Sequence, residues 1–222
     1  MKTGEYGIRE HALLFALLGE ELNQHFGTEA GNALLEEVTK AYGRKRGQRM
    51  RTNAERMGYG DSLEAFFLVG EWQGKPGENK SQLLCNAAET VSEVTRCAWY
   101  DTWVKAELIS SGSCYCRFID QALCDGFDGS FSLQVEETLS GGCTRCVFRW
   151  DEAVNPDNIA VKKREQPESL LRPFSFHCSE LNETVEEVLR RHGEHQAAEE
   201  ITARALRKME ECVRNHFASS ER

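Results

Sequence analysis

The residues of this chain best suited to chemistry lie between Cys114 and Trp150, a stretch that holds five of the nine cysteines. Cys116 and Asp120 stand four residues apart, which places them on one face of a helix. A thiol attacks as the thiolate, and its pKa falls near a cation or a helix N-terminus. A helix expected over residues 113–127 puts Cys116 in the first turn, where the dipole favours an anion. Asp120 is poorly suited to depress a thiol pKa, because like charges repel. It is better suited to hold water, move a proton or bind an amidinium. The same pair also fits an aspartate at a helix rim that accepts ordinary hydrogen bonds.

Farther on, the Gly141-Gly142 turn leads to Cys143-Thr-Arg-Cys146, which has the spacing of a metal knuckle. With Cys114-Tyr-Cys116 it would supply four thiolates, Cys114, Cys116, Cys143 and Cys146, to a zinc ion. A C-x-C far from a C-x-x-C is a weaker signal than two C-x-x-C knuckles, and Cys146 also falls on the apolar face of a strand. His177-Cys178, after a proline-containing segment, offers a general base, a ligand or a structural histidine. The other histidines fall mostly on helix faces among polar neighbours. The chain contains no nucleotide-binding glycine fingerprint, no Gly-x-Ser-x-Gly and no His-Glu-x-x-His.

Composition narrows the setting. At 222 residues, with 40% hydrophobic and 9% aromatic residues, the chain can bury one sizeable core or two small ones. A net charge of −9 argues against nucleic acid and anionic membrane as partners. A homo-oligomer is compatible with all of this. No run approaches the apolar length of a membrane span, and the first residues lack a secretory pattern. An odd number of cysteines without an export signal suggests reduced thiols and a cytoplasmic setting.

The elements that must position these residues follow from periodicity. Ile8, Ala12, Phe15, Leu18 and Leu22 recur at helical spacing as far as Gly27. A second helix, with Thr28 as a cap, runs through Leu34, Leu35, Val38 and Ala41 into a basic stretch, Gly43-Arg-Lys-Arg-Gly47-Gln-Arg-Met-Arg. That stretch fits a solvated helix end favoured by the macrodipole, or a site for a substrate carboxylate. A short helix capped by Asp61, a polar loop over 71–81, a strand from Glu89 to Trp99 and a short helix capped by Asp101 are expected next. After the helix carrying Cys116, strands are expected around Phe131, Leu133 and Val135 and around Thr144–Trp150. Residues 151–173 read as a linker, and 179–217 as helix broken at Gly193. A weak repeat pairs His11 and Gly27 with His177 and Gly193 at one offset. The predicted architecture is a single α+β domain over 1–222: a helical N-terminal part (1–70), an antiparallel sheet with the Cys-rich region (83–150), and C-terminal helices (174–217) packed on it.

Three blocks carry a resemblance: Cys97-Ala-Trp99, then Tyr115-Cys116-Arg-Phe-Ile-Asp120, then Thr138-Leu-Ser-Gly-Gly142-Cys-Thr-Arg-Cys146-Val-Phe148. With the upstream Gly-x-Glu-Ala-Gly and Tyr-Gly-x-x-x-Gly, they make residues 5–150 similar to the L-2-amino-thiazoline-4-carboxylic acid hydrolase family, and more distantly to vinyl-reductase-type small-molecule-binding domains. The extra cysteines at 114, 124 and 143 and the C-terminal helices depart from the family pattern. The resemblance implies a hydrolase that opens a small cyclic amidine such as 2-amino-thiazoline-4-carboxylate, without a cofactor. Cys116 would attack the ring carbon or activate water, with Asp120 and Cys146 beside it. Cys97, Trp99, Thr138 and His177 would help to form the pocket, and one of Arg117, Arg145 and Arg149 would hold the substrate carboxylate. The alternative is a non-catalytic sensor domain with cysteine-bound zinc.

Overall fold

The computed structural model describes residues 6–86, 88–164, 167 and 170–217. Among them are eight α-helices and one four-stranded antiparallel sheet, an α+β arrangement as the sequence suggests. In chain order the elements are α1 (Ile8–Phe26), α2 (Thr28–Met57), α3 (Leu63–Leu68), β1 (Lys80–Cys85), β2 (Thr90–Arg96), α4 (Ala98–Lys105) and α5 (Ile109–Phe127). Then come β3 (Leu133–Glu137), β4 (Cys146–Trp150), α6 (Pro156–Arg164), α7 (Phe174–Arg191) and α8 (His195–Cys212). No helix among the described residues is long and apolar enough to cross a membrane.

The chain forms two compact units. A helical unit draws on Met1–Thr39, Ala98–Tyr115 and Pro173–Arg222. A sheet unit draws on Lys40–Cys97 and Cys116–Arg172, so α2 and α5 each contribute to both.

In the helical unit, the face of α1 expected from periodicity is buried, and so are Leu13, Leu14 and Leu17 around it. α1 is therefore the central helix of this unit. Leu35 and Val38 of α2, Trp103 of α4, Leu181 and Val188 of α7 and Ile201 of α8 complete the core. Glu21 of α1 is fully buried and is met by Arg204 and Lys208 of α8. A buried carboxylate persists only with such partners, and its pKa is lowered by them against the opposing effect of burial. Both helical hairpins of the proposed repeat turn on a glycine at φ 83°, Gly27 and Gly193, in the left-handed region that favours residues without a Cβ.

In the sheet unit the strand order is β1-β2-β4-β3. Leu133 pairs with Trp150 and Val135 with Phe148, so one face of these strands meets α3 and α5. Phe66, Phe127, Phe131 and Trp150 form the aromatic centre, with ring centroids 5.3–5.9 Å apart. On the other face Arg149 bonds Glu89 at 2.9 Å and Glu136 at 2.7 Å. Arg145 reaches Glu93 at 3.1 Å and Glu137 at 3.6 Å.

Several boundaries differ from the sequence expectation for identifiable reasons. β2 stops at Arg96, and Trp99 belongs to α4; the apparent alternation runs on because a helix also spaces bulky residues. Asp101 lies inside the first turn of α4, and Ser62 rather than Asp61 caps α3, its hydroxyl accepting from Ala65 N–H at 3.2 Å. The 151–173 segment contains α6: Pro156 takes the first helical position, and Asn155 Oδ1 caps the N–H groups of Asp157 and Asn158. The polar loop over 71–81 ends as the edge strand β1, which is stabilised by pairing with β2 rather than by a core of its own.

Candidate active site

Two helices of the sheet unit approach with almost no side chain between their backbones. A Cβ on Gly43 of α2 would lie 2.5 Å from the Ala122 Cβ of α5, and one on Gly47 would lie 2.2 Å from the Leu123 carbonyl oxygen. Reciprocally, a Cβ on Gly126 of α5 would lie 2.2 Å from the Arg44 carbonyl oxygen. Small residues four apart on each helix permit this crossing. It brings the face carrying Cys116, Asp120 and Cys124 up to the face carrying Tyr42 and Arg46.

Asp120 is the electrostatic centre of this face. Protein surrounds it, yet it retains partial accessibility. Burial raises its pKa to about 6, against the Arg46 guanidinium, whose charge pulls it down. A carboxyl in that range exchanges protons near neutrality, as general acid–base chemistry requires. Arg46 is 3% exposed, with its guanidinium 5.5 Å from the Tyr42 ring centre. The fully buried Glu71 carboxylate anchors the basic face of α2. Arg49 forks onto it through Nε at 2.5 Å and Nη2 at 3.0 Å, while Arg46 Nε reaches it at 3.5 Å.

Cys116 lies one helical turn before Asp120. α5 begins at Ile109, four residues earlier than expected, so Cys116 is well inside the helix and not in its first turn. The dipole assistance inferred from sequence is therefore lost. Burial pushes the Cys116 thiol far above the ordinary cysteine range, and the neighbouring Cys97, Asp120 and Cys146 push it further; the Ser140 hydroxyl, hydrogen bonded to the sulfur, acts in the opposite direction. Cys116 at rest is a neutral thiol. Cys146, at the start of β4, is likewise raised by burial to about 11, although Leu139 N–H donates to its sulfur at 3.3 Å.

The turn between β3 and β4 supplies both donors. Thr138 shapes it: its Oγ1 accepts from Gly141 N–H at 3.1 Å and its carbonyl accepts from Cys143 N–H at 3.2 Å. Gly142 then closes the turn at φ 91°. Leu139 and Ser140 are thereby presented to the sulfurs of Cys146 and Cys116.

The structure thus groups Cys97, Cys116, Asp120 and Cys146, with Thr138 behind the turn that contacts them. It places the other sequence candidates elsewhere. Arg145 and Arg149 are tied to carboxylates across the sheet. Arg117 is exposed, with its guanidinium 5.8 Å from the Phe118 ring centre. Trp99 and His177 belong to the helical unit. There Trp99 Nε1 donates to His11 Nδ1 at 3.1 Å, and the buried His177 ring stands 6.4 Å from that of His11.

Cys114, Cys116, Cys143 and Cys146, the four thiolates of the zinc alternative, are not drawn into one cluster. Among the described residues, no group of three or more His, Cys, Asp or Glu side chains is placed to hold a metal ion. Cys114 and Cys116, two apart on a helix, project about 200° from one another. Cys114 interacts instead with Thr39 Oγ1 at 3.8 Å, and Cys143 is exposed on its turn. No disulfide joins any of the nine cysteines.

Sequence reasoning missed Ser140, the Leu139 N–H and Glu71, and offered the basic stretch that holds Arg46 and Arg49 only as an alternative carboxylate site. The acidic partner of that stretch lies 25 residues beyond Arg46 in an unpatterned loop.

The sequence profile of the L-2-amino-thiazoline-4-carboxylic acid hydrolase family matches residues 7–150, and the chain belongs to that family. The matched region contains every residue of the Asp120 site and ends before α6, α7 and α8. No curated protein and no solved structure matches the chain.

Proposed function

We propose that this protein hydrolyses the ring of a small cyclic amidine of the 2-amino-thiazoline-4-carboxylate type. The observation that carries this reading is Asp120: a surrounded but accessible carboxyl, raised toward neutrality, one helical turn from a thiol, inside the family's matched region. Carbon 2 of such a ring bears two nitrogens and a sulfur and is electrophilic when the amidine is protonated. Ionised Asp120 holds that amidinium and accepts the proton of Cys116 as its sulfur adds to carbon 2.

The raised pKa of Cys116 makes proton loss part of the attack rather than a step before it. The Ser140 hydroxyl steadies the charge that develops on sulfur. The bond from carbon 2 to the ring sulfur then breaks, and that sulfur takes the proton from Asp120. Water adds to the resulting isothiourea carbon, with Asp120 again as base, and Cys116 leaves as a thiol. The net reaction consumes one water and gives a carbamoyl-amino acid with a free thiol.

The test is direct. Purified protein incubated with 2-amino-thiazoline-4-carboxylate should release one new thiol per ring, with N-carbamoyl-cysteine identified by mass spectrometry. Cys116→Ser should abolish this release and keep the fold. Full turnover by Cys116→Ser removes the nucleophile role, and absence of turnover by the unaltered protein overturns the reading.

A further inference from the structure

The two edges of the sheet are built differently. At the β3 edge the register against β4 shifts between Val135 and Glu137, and Glu136 and Glu137 place two carboxylates there. A bulge and charged side chains are common means of keeping a sheet edge from pairing with another chain. The β1 edge is different. Its one irregularity against β2 falls at its start, between Lys80 and Ser81, and Ser81 to Cys85 then pair without a break. From Ser81 to Ala88 the sequence holds no charge and no proline. Leu84 on this strand is 49% exposed.

The turn after β1 shows which backbone groups this edge offers. Asn86 N–H donates to the Glu89 carbonyl at 3.1 Å, so Asn86 directs its main-chain groups at β2. Alternate residues of an antiparallel strand direct theirs to opposite sides. Leu84 and Gln82, opposite Val91 and Glu93, therefore bond β2, while Ser81, Leu83 and Cys85 direct N–H and C=O away from it. Among the described residues no strand borders that side.

This pattern is self-complementary. Antiparallel residues exchange both hydrogen bonds only when each directs its groups at the other. A second copy turned about a twofold axis at Leu83 meets that condition along the whole strand. Leu83 then meets its own equivalent, and Ser81 meets Cys85 of the second copy at either end. A register shifted by one residue would oppose none of these groups. Charge favours the same direction. Lys80 comes to lie beside the Asn86–Glu89 turn of the second copy, which carries a carboxylate, whereas parallel pairing would set one Lys80 against the other. The exposed Leu84 comes to stand opposite Gln82 of the second copy, with the second Leu84 as its diagonal neighbour. We propose that β1 pairs with β1 of a second copy of this chain, joining two four-stranded sheets into one antiparallel sheet across a homodimer. The blunted β3 edge stops assembly at two copies.

A single strand pair is a small interface, so a readily reversible dimer is expected. Sedimentation velocity of the full chain, from about 1 to about 200 µM, should show a shift from one chain mass to two. Leu83→Pro removes an outward N–H from each copy but no bond to β2. It should keep the fold and raise the dissociation constant at least about tenfold, because two bonds are lost at once. Leu83→Lys and Leu83→Glu place like charges against each other on the axis. Each alone should stay monomeric, and an equal mixture of the two should recover dimers. This charged pair decides the matter should the proline variant lose its fold. A monomer throughout the range, or assembly past two copies, overturns the proposal. A dimer that persists in Leu83→Pro and Leu83→Lys also overturns it, because another surface then joins the copies. Failure of the mixture to recover dimers, with both charged variants folded by circular dichroism, overturns it as well.

Discussion

The helical unit and the sheet unit each bury a polar cluster, and the two are built differently. In the helical unit, His11 is closed in by Trp99, Tyr115, Phe174 and His177, with ring centroids 5.7–6.4 Å away. Its Nδ1 accepts the Trp99 indole N–H, which fixes that nitrogen as the unprotonated one. This hydrogen bond lies inside an aromatic shell. In the sheet unit, burial disfavours the anion of Asp120, of Cys116 and of Cys146, and the Arg46 guanidinium partly offsets this at Asp120. Paired neutral polar groups specify packing, whereas groups held away from their preferred protonation state store free energy that a reaction can use. That difference separates the His11–Trp99 contact from the candidate reaction centre, which is also the more accessible of the two.

The largest expected effect breaks the comparison if it fails. Asp120→Asn should lower ring opening by at least about a thousand-fold, since it removes the base from both steps, and it should also stabilise the fold at pH 7.5. The Asp120 carboxyl binds its proton more tightly in the folded chain, at about 6, than at the ordinary 3.8. The stability it contributes is fully present below pH 3.8 and is lost as pH rises through about 6. Asparagine carries no such dependence, so the variant should gain up to about 3 kcal/mol near neutrality and nothing at pH 3.5. Chemical denaturation at the two pH values reads this, and a destabilised variant at pH 7.5 would show that Asp120 is a structural partner of Arg46.

Next in size is the helix crossing. Gly47→Ala gains helix propensity, yet its methyl group meets the Leu123 carbonyl oxygen at 2.2 Å. A net loss of about 2–3 kcal/mol is expected from overpacking, with activity lost alongside it. A melting temperature unchanged from the parent would refute the close approach. The pH profile sharpens the same point: kcat/KM should rise as pH increases through about 6, as Asp120 ionises, and Asp120→Asn should flatten whatever activity remains.

The helical unit should respond differently. His11→Leu leaves the buried Trp99 N–H without its acceptor and should cost about 1–3 kcal/mol in stability. Ring opening per folded molecule should change little; a collapse of kcat in well-folded protein would make the histidine pair part of the chemistry. Smallest of all, Arg149→Ala removes half-exposed ion pairs on the sheet and should cost less than about 1 kcal/mol, with KM unchanged.

Local spacing made Cys116 and Asp120 legible, because i and i+4 share a helix face whatever the tertiary structure. Strands β3 and β4 were legible from alternation, and Gly193 as a helix break. What stayed hidden depends on long-range partners. β1 exists because β2 pairs with it, and Arg46 matters because Glu71 and Asp120 approach it from distant segments. The start of α5 at Ile109 was also hidden, since Ser110, Ser113 and Gly112 resemble a loop, and that error moved Cys116 into a helix end it does not occupy. α6 was missed although Asn155-Pro156 is a recognisable start, because its charged residues resemble a linker.

The glycine-lined crossing of α2 and α5 also acts as a gauge. With backbone against backbone, the separation of the two helices is set by main-chain van der Waals radii, not by side chains that can be repacked. The interval between the cation on one helix and the anion on the other is correspondingly hard to vary by small steps. A lineage adapting this scaffold to a larger substrate would first have to enlarge Gly43 or Gly47, spreading the helices at a cost in stability before any new activity could be selected. Substitutions at those two glycines should therefore mark changes of substrate size among descendants of this chain.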